Sequence, residues 1–371
     1  MIEQSTPRIE IHLNKITHNA KMLKRLFAQK GVKITGVIKG GAGSIEIARA
    51  VLNAGIHSLA DSRIKNIKKF KKAGLNSSFM LLRIPALSEV SEVVQYADIS
   101  LNSDLDVIHA LSREAKRQNK IHKIILMVEM GDLREGILPE ELPLFLQEVL
   151  KLEGVEVIGL GTNFACFGGI VPTDKKMKEF SMLVRKIRKV FHLELPIISG
   201  GNSANYNWFI RTNDVGEVNN LRLGESILLG KETVDGTVIP GLYNDAFRLV
   251  TEIIELKRKS SVPYGQSAQN AFGEKVHFKD KGMIKRGIVN IGRQDVIVSG
   301  LRPLLPVDIL GSSSDHIVLD TSKCKLKLGD TVSFSVDYGA MLSAMTSPYV
   351  VKKYIPTDHE FHYGTVQATV C

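Results

Sequence analysis

Three cysteines in 371 residues, Cys166, Cys324 and Cys371, are too few and too scattered for a disulfide framework or a zinc site. Their odd number fits a reducing compartment. Aromatic residues make up only 6% of the chain, and none interleaves with a basic stripe, so nucleic-acid binding has no support. No apolar run approaches the ~18 residues of a membrane span. The opening MIEQSTPRIEIHLNK also lacks the basic, apolar and small-residue layout of a signal peptide. A cytoplasmic protein without a membrane partner is expected. The phosphate loop GxxxxGK(S/T) is missing, and no GxGxxG opens a helix after the first strand, which disfavours a nucleotide fold.

Acidic residues are in deficit, 39 against 49 Lys plus Arg, for a net charge of +10. The excess is spread along the chain. Its densest cluster, RIKNIKKFKKAG from Arg63, sets Ile64, Ile67 and Phe70 at helical spacing, which puts the lysines on the wet face of an amphipathic helix.

From about Val32 to about Gly230, short apolar runs (ITGVI, SFMLL, DISLN, KIILMVE, VEVIGLG, LPIIS, NNLRLG) alternate with amphipathic helical stretches. That is a βα pattern, and its length suits a parallel barrel of about eight units. The helix LDVIHALSREAKRQ is expected to take Ser103 as its N-cap. After about Ile239 the period changes to two, in FRLVTEIIELK, DHIVLD and DTVSFSVDYG, and no long helix is expected there. The fold class expected is α/β: a TIM-like (β/α)8 barrel over 1–235, a mostly β domain over 236–355, and a tail over 356–371. The alternating RIEIHL at Arg8–Leu13 could cross back to join the β domain.

In a β/α barrel, chemistry gathers at the C-terminal ends of the strands. Lys39, Asp61, Arg134, Asn163, Ser203 and Arg222 all end strands and should share one mouth. A single strand-end polar residue is more often loop solvation than catalysis, so the weight lies in the set. GGNSAN and RLGES offer backbone amides, a hydroxyl and close-approaching glycines that suit a phosphate. Lys39, in KITGVIKGGAG, could be surface punctuation, a phosphate-loop lysine or an amine held for covalent chemistry. A phosphate-bearing cofactor joined through a lysine, pyridoxal 5'-phosphate, fits the whole set better than a nucleotide.

The motifs VIKG, LADSRI, VEMGDLREGI, SGGNSAN, LRLGESILLG, GRQDV, LGSSSDH and DYGAMLSAMTSPYV resemble the alanine-racemase-like, fold-type-III pyridoxal phosphate enzymes, most closely the ornithine racemase branch. The resemblance runs from PRIEIHLNK to about Ile355. It implies an amino-acid racemase working by two-base proton transfer at Cα, assembled as a head-to-tail homodimer with active sites shared between chains. By position, Lys39 would carry the cofactor and act as one base. Ser203 with the Gly224 and Glu225 amides would hold the phosphate together with Tyr338, Arg222 would meet the pyridine nitrogen, and Arg134 would lie near the substrate carboxylate.

This chain departs from the alanine racemases at four positions. Gly43, Asn163 and Met127 stand where they carry a tyrosine, a histidine and a modified lysine, and Arg293 stands where the partner-chain tyrosine base belongs. Arginine is a poor base at pH 7, because its guanidinium keeps its proton there. His316 is the leading candidate for the second base, with Asp295, Asp315 and Tyr264 behind it. A strand-flanking histidine or aspartate is more often a turn or cap residue, and that reading stands beside the catalytic one. Asp295 could instead anchor a distal substrate amine, and Gly43 should widen the mouth. The substrate expected is ornithine or another basic or larger amino acid. A diamino-acid decarboxylase of the same fold type and a non-catalytic cofactor-binding protein are the alternatives.

Overall fold

A computed structural model describes residues 5–355, so the tail expected at 356–371 lies outside the described residues. The first elements are β1 (Arg8–His12) and, directly after it, α1 (Leu13–Ala28). Strands and helices then alternate: β2 (Lys33–Val37), α2 (Ile45–Asn53), β3 (Ser58–Asp61), α3 (Ile64–Lys72), β4 (Ser78–Leu81), α4 (Val90–Tyr96), β5 (Ile99–Asn102) and α5 (Leu105–Arg117). The alternation continues through β6 (His122–Met127), α6 (Leu142–Val149), β7 (Val155–Gly161), α7 (Asp174–Phe191), β8 (Ile197–Ser199), α8 (Tyr206–Arg211), β9 (Asn220–Leu223) and α9 (Glu225–Leu229).

Strands β2 to β9 pair in parallel and close into a barrel, with β9 bonded back to β2 so that Thr35 lies opposite Arg222. Val37, Ala60, Met80, Leu101, Ile125, Met127 and Ile158 meet in one buried cluster contributed by successive strands. Each strand is short and rich in buried apolar residues, as strands covered on both faces require. The helices bury one stripe each. On α3 that stripe is Ile64, Ile67 and Phe70, while Lys68 and Lys71 pair with Glu92 and Asp98 at 2.5 and 2.8 Å.

The N-cap of α5 is Asp104, whose carboxylate accepts from the Val107 amide at 3.1 Å, rather than the expected Ser103. Both residue types cap well, and only the one whose oxygen reaches the third amide of the helix does so.

The chain divides into two compact units, one from Asn14 to Asn244 and one that joins β1 to everything described from Asp245 onward. The division between Asn244 and Asp245 falls beyond the 231–236 turn and the expected boundary at 235/236. That turn stays with the barrel because buried Glu232 gathers the amides of Val234 and Thr237, both at 2.8 Å, and the Asn207 side chain at 3.2 Å.

The second unit holds β10 (Phe247–Ser260), β11 (Met283–Val289), β12 (Leu301–Pro303), β13 (Asp308–Ser312), β14 (Ile317–Asp320), β15 (Thr331–Val336), α10 (Tyr338–Thr346) and β16 (Val351–Ile355). Its strand order is β12-β15-β10-β11-β14-β13, with β1 antiparallel to β10 and parallel to β16. Helix α10, nine residues long, is the helix of an otherwise β unit and was not singled out in the sequence. Asp337 caps it through the Ala340 amide at 2.8 Å, Ala340, Met341, Ala344 and Met345 fill its buried face, and it ends before Ser347-Pro348. Among the described residues no helix is long and apolar enough to cross a membrane.

Candidate active site

Lys39 opens a short 3-10 turn, Lys39–Gly41, at the end of β2. The Ile38 amide still bonds Ala60 O at 2.9 Å, so strand register is kept up to the residue before the lysine. The turn needs left-handed backbone at Ala42 and Gly43. A Cβ on Gly43 would lie 2.6 Å from Asn66 Oδ1, and Lys69 Nζ donates to Gly43 O at 2.8 Å. The room expected from the missing tyrosine is therefore taken up beside Gly43 by Asn66 from α3.

Asn66 is held in turn by Asp61, the last residue of β3. Asp61 Oδ1 accepts from the Arg63 amide at 2.9 Å and from Asn66 Nδ2 at 3.1 Å. Its Oδ2 is buried with no hydrogen-bond partner among the described residues. Burial raises the Asp61 carboxyl to about 6 against the pull of these bonds and of the Lys39 charge.

Arg222 projects from β9 into the same end of the barrel and is buried. Nη1 donates to Ser199 Oγ at 2.6 Å, and Nη2 donates to Thr162 O at 2.8 Å and more loosely to Asn163 Oδ1 at 3.4 Å. Burial lowers Arg222 to about 10, with the Glu135 charge opposing, so it stays cationic at neutral pH. Beside it, Thr162 Oγ1 and Asn163 Nδ2 are buried without a partner among the described residues. Asn202 Nδ2 bonds Asn163 Oδ1 at 2.9 Å, which ties the β7 loop to the β8 loop.

The β8 and β9 loops meet at Ser203, whose Oγ accepts from the amides of Gly224 at 3.3 Å and Ser226 at 3.2 Å. Gly224 caps α9 and Glu225 is its first residue. A reciprocal Asn202–Asn205 capping box fixes the turn that carries Ser203. The result is a knot of amides and hydroxyls one strand away from the Lys39 turn.

Arg134 lies on the loop after β6, which two acids hold shut. Glu129 takes the Leu133 and Arg134 amides at 3.1 and 3.3 Å, and buried Asp132 takes the Cys166 and Phe167 amides at 3.2 and 3.1 Å. Gly136 packs so tightly that a Cβ would sit 2.5 Å from Glu129 N. Arg134 is paired with Glu135 through Nε and Nη2, and its Nη1 lies 2.6 Å from Cys166 Sγ.

The remaining expected residues lie in the β unit. The amides of Arg293 and Gln294 bond Ser313 O at 2.9 Å and Ser314 O at 3.0 Å, so the GRQD turn and the SSSDH turn form one corner. His316 is exposed there, with Nδ1 3.4 Å from Ser313 Oγ. Asp295 is buried and accepts from Ser347 Oγ at 2.6 Å. Arg293 is committed to Glu274 by bonds of 2.9 and 2.8 Å and covers the Phe272 ring at 4.3 Å. Tyr338 begins α10, and Tyr264 stands almost fully exposed on the β10–β11 connection.

Within the barrel, then, Lys39, Arg134, Ser203, Arg222, Gly224 and Glu225 gather on strand ends and loops at one end; Asp295, His316 and Tyr338 belong to the other unit. Of the supporting acids, Asp61 stood among the expected strand-end residues, while Glu129, Asp132 and Glu135 did not. The sequence signal for those three is the density of acids around Arg134.

A family model for the alanine racemase N-terminal domain matches residues 11–231. The chain is 43% identical to an ornithine racemase of Acetoanaerobium sticklandii, over 94% of this chain and 99% of that one. It is 40% identical to a lysine racemase of Thermotoga maritima, over 95% and 99%. Among solved structures, an alanine racemase of Clostridium difficile superposes with TM-score 0.76 at 21% identity, covering 95% of this chain and 97% of that one. An alanine racemase of Bartonella henselae with covalently bound pyridoxal phosphate does so with TM-score 0.72 at 17% identity, covering 95% and 100%. With a closed barrel carrying a lysine turn and a buried arginine at its mouth, and a family model spanning more than half its length, the chain belongs to the alanine racemase N-terminal domain family.

Proposed function

We propose that this protein is a pyridoxal-phosphate-dependent racemase of an amino acid with a basic side chain, ornithine or lysine. The observation that carries this reading is identity of 43% and 40% to racemases of those two amino acids, extending over both units. The residues at the barrel mouth fit the cofactor. Ser203 and the amides of Gly224 and Glu225 would hold its phosphate, joined by Tyr338. Lys39 would bear it, and the partnerless Thr162 Oγ1 and Asn163 Nδ2 are buried polar atoms that a polar ring substituent would satisfy.

When bound, pyridoxal phosphate supplies an electron sink that acidifies the substrate Cα–H. The protein's part is to choose where protons go. Arg222 keeps its own proton at neutral pH, so it would donate a hydrogen bond to a ring nitrogen without handing over the proton. That favours removal and return of one proton at Cα over amino transfer. Arg134 binds the substrate carboxylate, and Lys39 moves the proton on one face.

On the opposite face Arg293 is unsuited, being cationic and clasped by Glu274. We assign that role to His316, since an imidazole can both take and give a proton at neutral pH. Asp295, locked to Ser347, holds the turn beside it. The protein is proposed to act as a homodimer in which a second copy supplies the opposite-face group.

In deuterated water, a racemase washes deuterium into Cα of both enantiomers without releasing carbon dioxide. Gas release from L-ornithine or L-lysine would overturn the reading in favour of decarboxylation. Mixing Lys39→Ala and His316→Ala chains should restore activity that neither has alone; no restoration would remove His316 from the role.

A further inference from the structure

The charges around Arg134 are not equivalent. Glu129 and Asp132 spend their oxygens on main-chain amides: Glu129 on Leu133 and Arg134, Asp132 on Cys166 and Phe167. These bonds build the loop and cannot be given up without opening it. Glu135 differs. Its carboxylate is held by one side chain, the Arg134 guanidinium, through two parallel bonds. It is only 17% exposed, so it is turned in from solvent, and its charge reaches buried Arg222 at the barrel mouth. Arg134 and Glu135 thus form a self-satisfied pair of opposite charges on a rigid loop.

An uncharged substrate side chain offers such a pair nothing in exchange. A dibasic amino acid offers both halves, a carboxylate for Arg134 and a distal ammonium for Glu135. We infer that Glu135 is the specificity-determining residue of this enzyme, receiving the distal ammonium of a dibasic amino acid while Arg134 takes its carboxylate. This rests on the racemase reading above.

The test compares L-ornithine with L-norvaline, and L-lysine with L-norleucine. Each pair matches in chain length and differs in the distal amine. In the holoenzyme, Cα exchange should favour the charged member of each pair. Glu135→Gln removes the charge and leaves one acceptor oxygen for Arg134. It should cut the ratio of kcat/KM for ornithine over norvaline about ten- to hundredfold, mainly through KM, and Glu135→Asp should restore part of it. A Glu135 that merely holds Arg134 in place would lower charged and uncharged substrates together, and an unchanged ratio in Glu135→Gln would overturn the inference. Equal wild-type rates within each pair would also overturn it while leaving the racemase reading intact. No exchange with any of the four would take down both.

Discussion

Single residues decide how the lysine turn is held. Gly43 looked like open space, and the open space is occupied, because Asn66 reaches across from α3 and is itself gripped by Asp61. Such a fill cannot be read from spacing along the chain, since it depends on which side chain the neighbouring βα unit happens to aim there. Asp61 brings a pH dependence. Its carboxyl sits at about 6 in the folded protein against an ordinary 3.8, through burial. Below about pH 4 folded and unfolded forms both hold the proton. Between about 4 and 6 the folded form holds it more tightly, so stability falls as pH rises, and above about 6 the deficit remains, up to roughly 3 kcal/mol. Asp61→Asn should remove that dependence. Urea unfolding of both proteins should show the variant gaining ~1–3 kcal/mol on the wild type between pH 4 and pH 7. A constant difference would mean that Asp61 ionises normally.

At the scale of elements, the barrel strands and most helices were readable because buried apolar runs and amphipathic stripes leave strong periodic signals. The errors fall where that signal is short or shared. Ser103 and Asp104 are adjacent residues of equal capping aptitude, and only backbone geometry selects Asp104. Accordingly, Asp104→Ala should lower stability by about 1 kcal/mol and shift Tm down, whereas Ser103→Ala should stay within ~0.5 kcal/mol. Helix α10 was hidden by its small and apolar composition, directly after the alternating strand β15. Strand-end chemistry was more legible than capping. Lys39, Ser203 and Arg222 stand where a barrel must put functional groups and Asp61 closes its own strand, while Glu129, Asp132 and Glu135 sit in a loop with no period to betray them.

For the whole molecule, the most consequential feature is β1. Arg8 to His12 pair along one side with Val351 to Ile355, and Arg8 to Ile11 pair along the other with Phe247 to Val250. A chain beginning at Asn14 retains every barrel strand and loses the strand between β10 and β16. Hydrogen exchange on that truncated chain should show barrel amides still protected and those of β10 and β16 released; equal loss in both units would show that they fold as one.

The same pairing imposes an order of events during synthesis. Once β1 has left the ribosome it has no partner until β10 emerges more than two hundred residues later, and its second partner, β16, is the last strand described. Through the whole time the barrel is being made and closed, Ile9 and Ile11 wait with unpaired backbone in a bare segment that a chaperone or another nascent chain could claim.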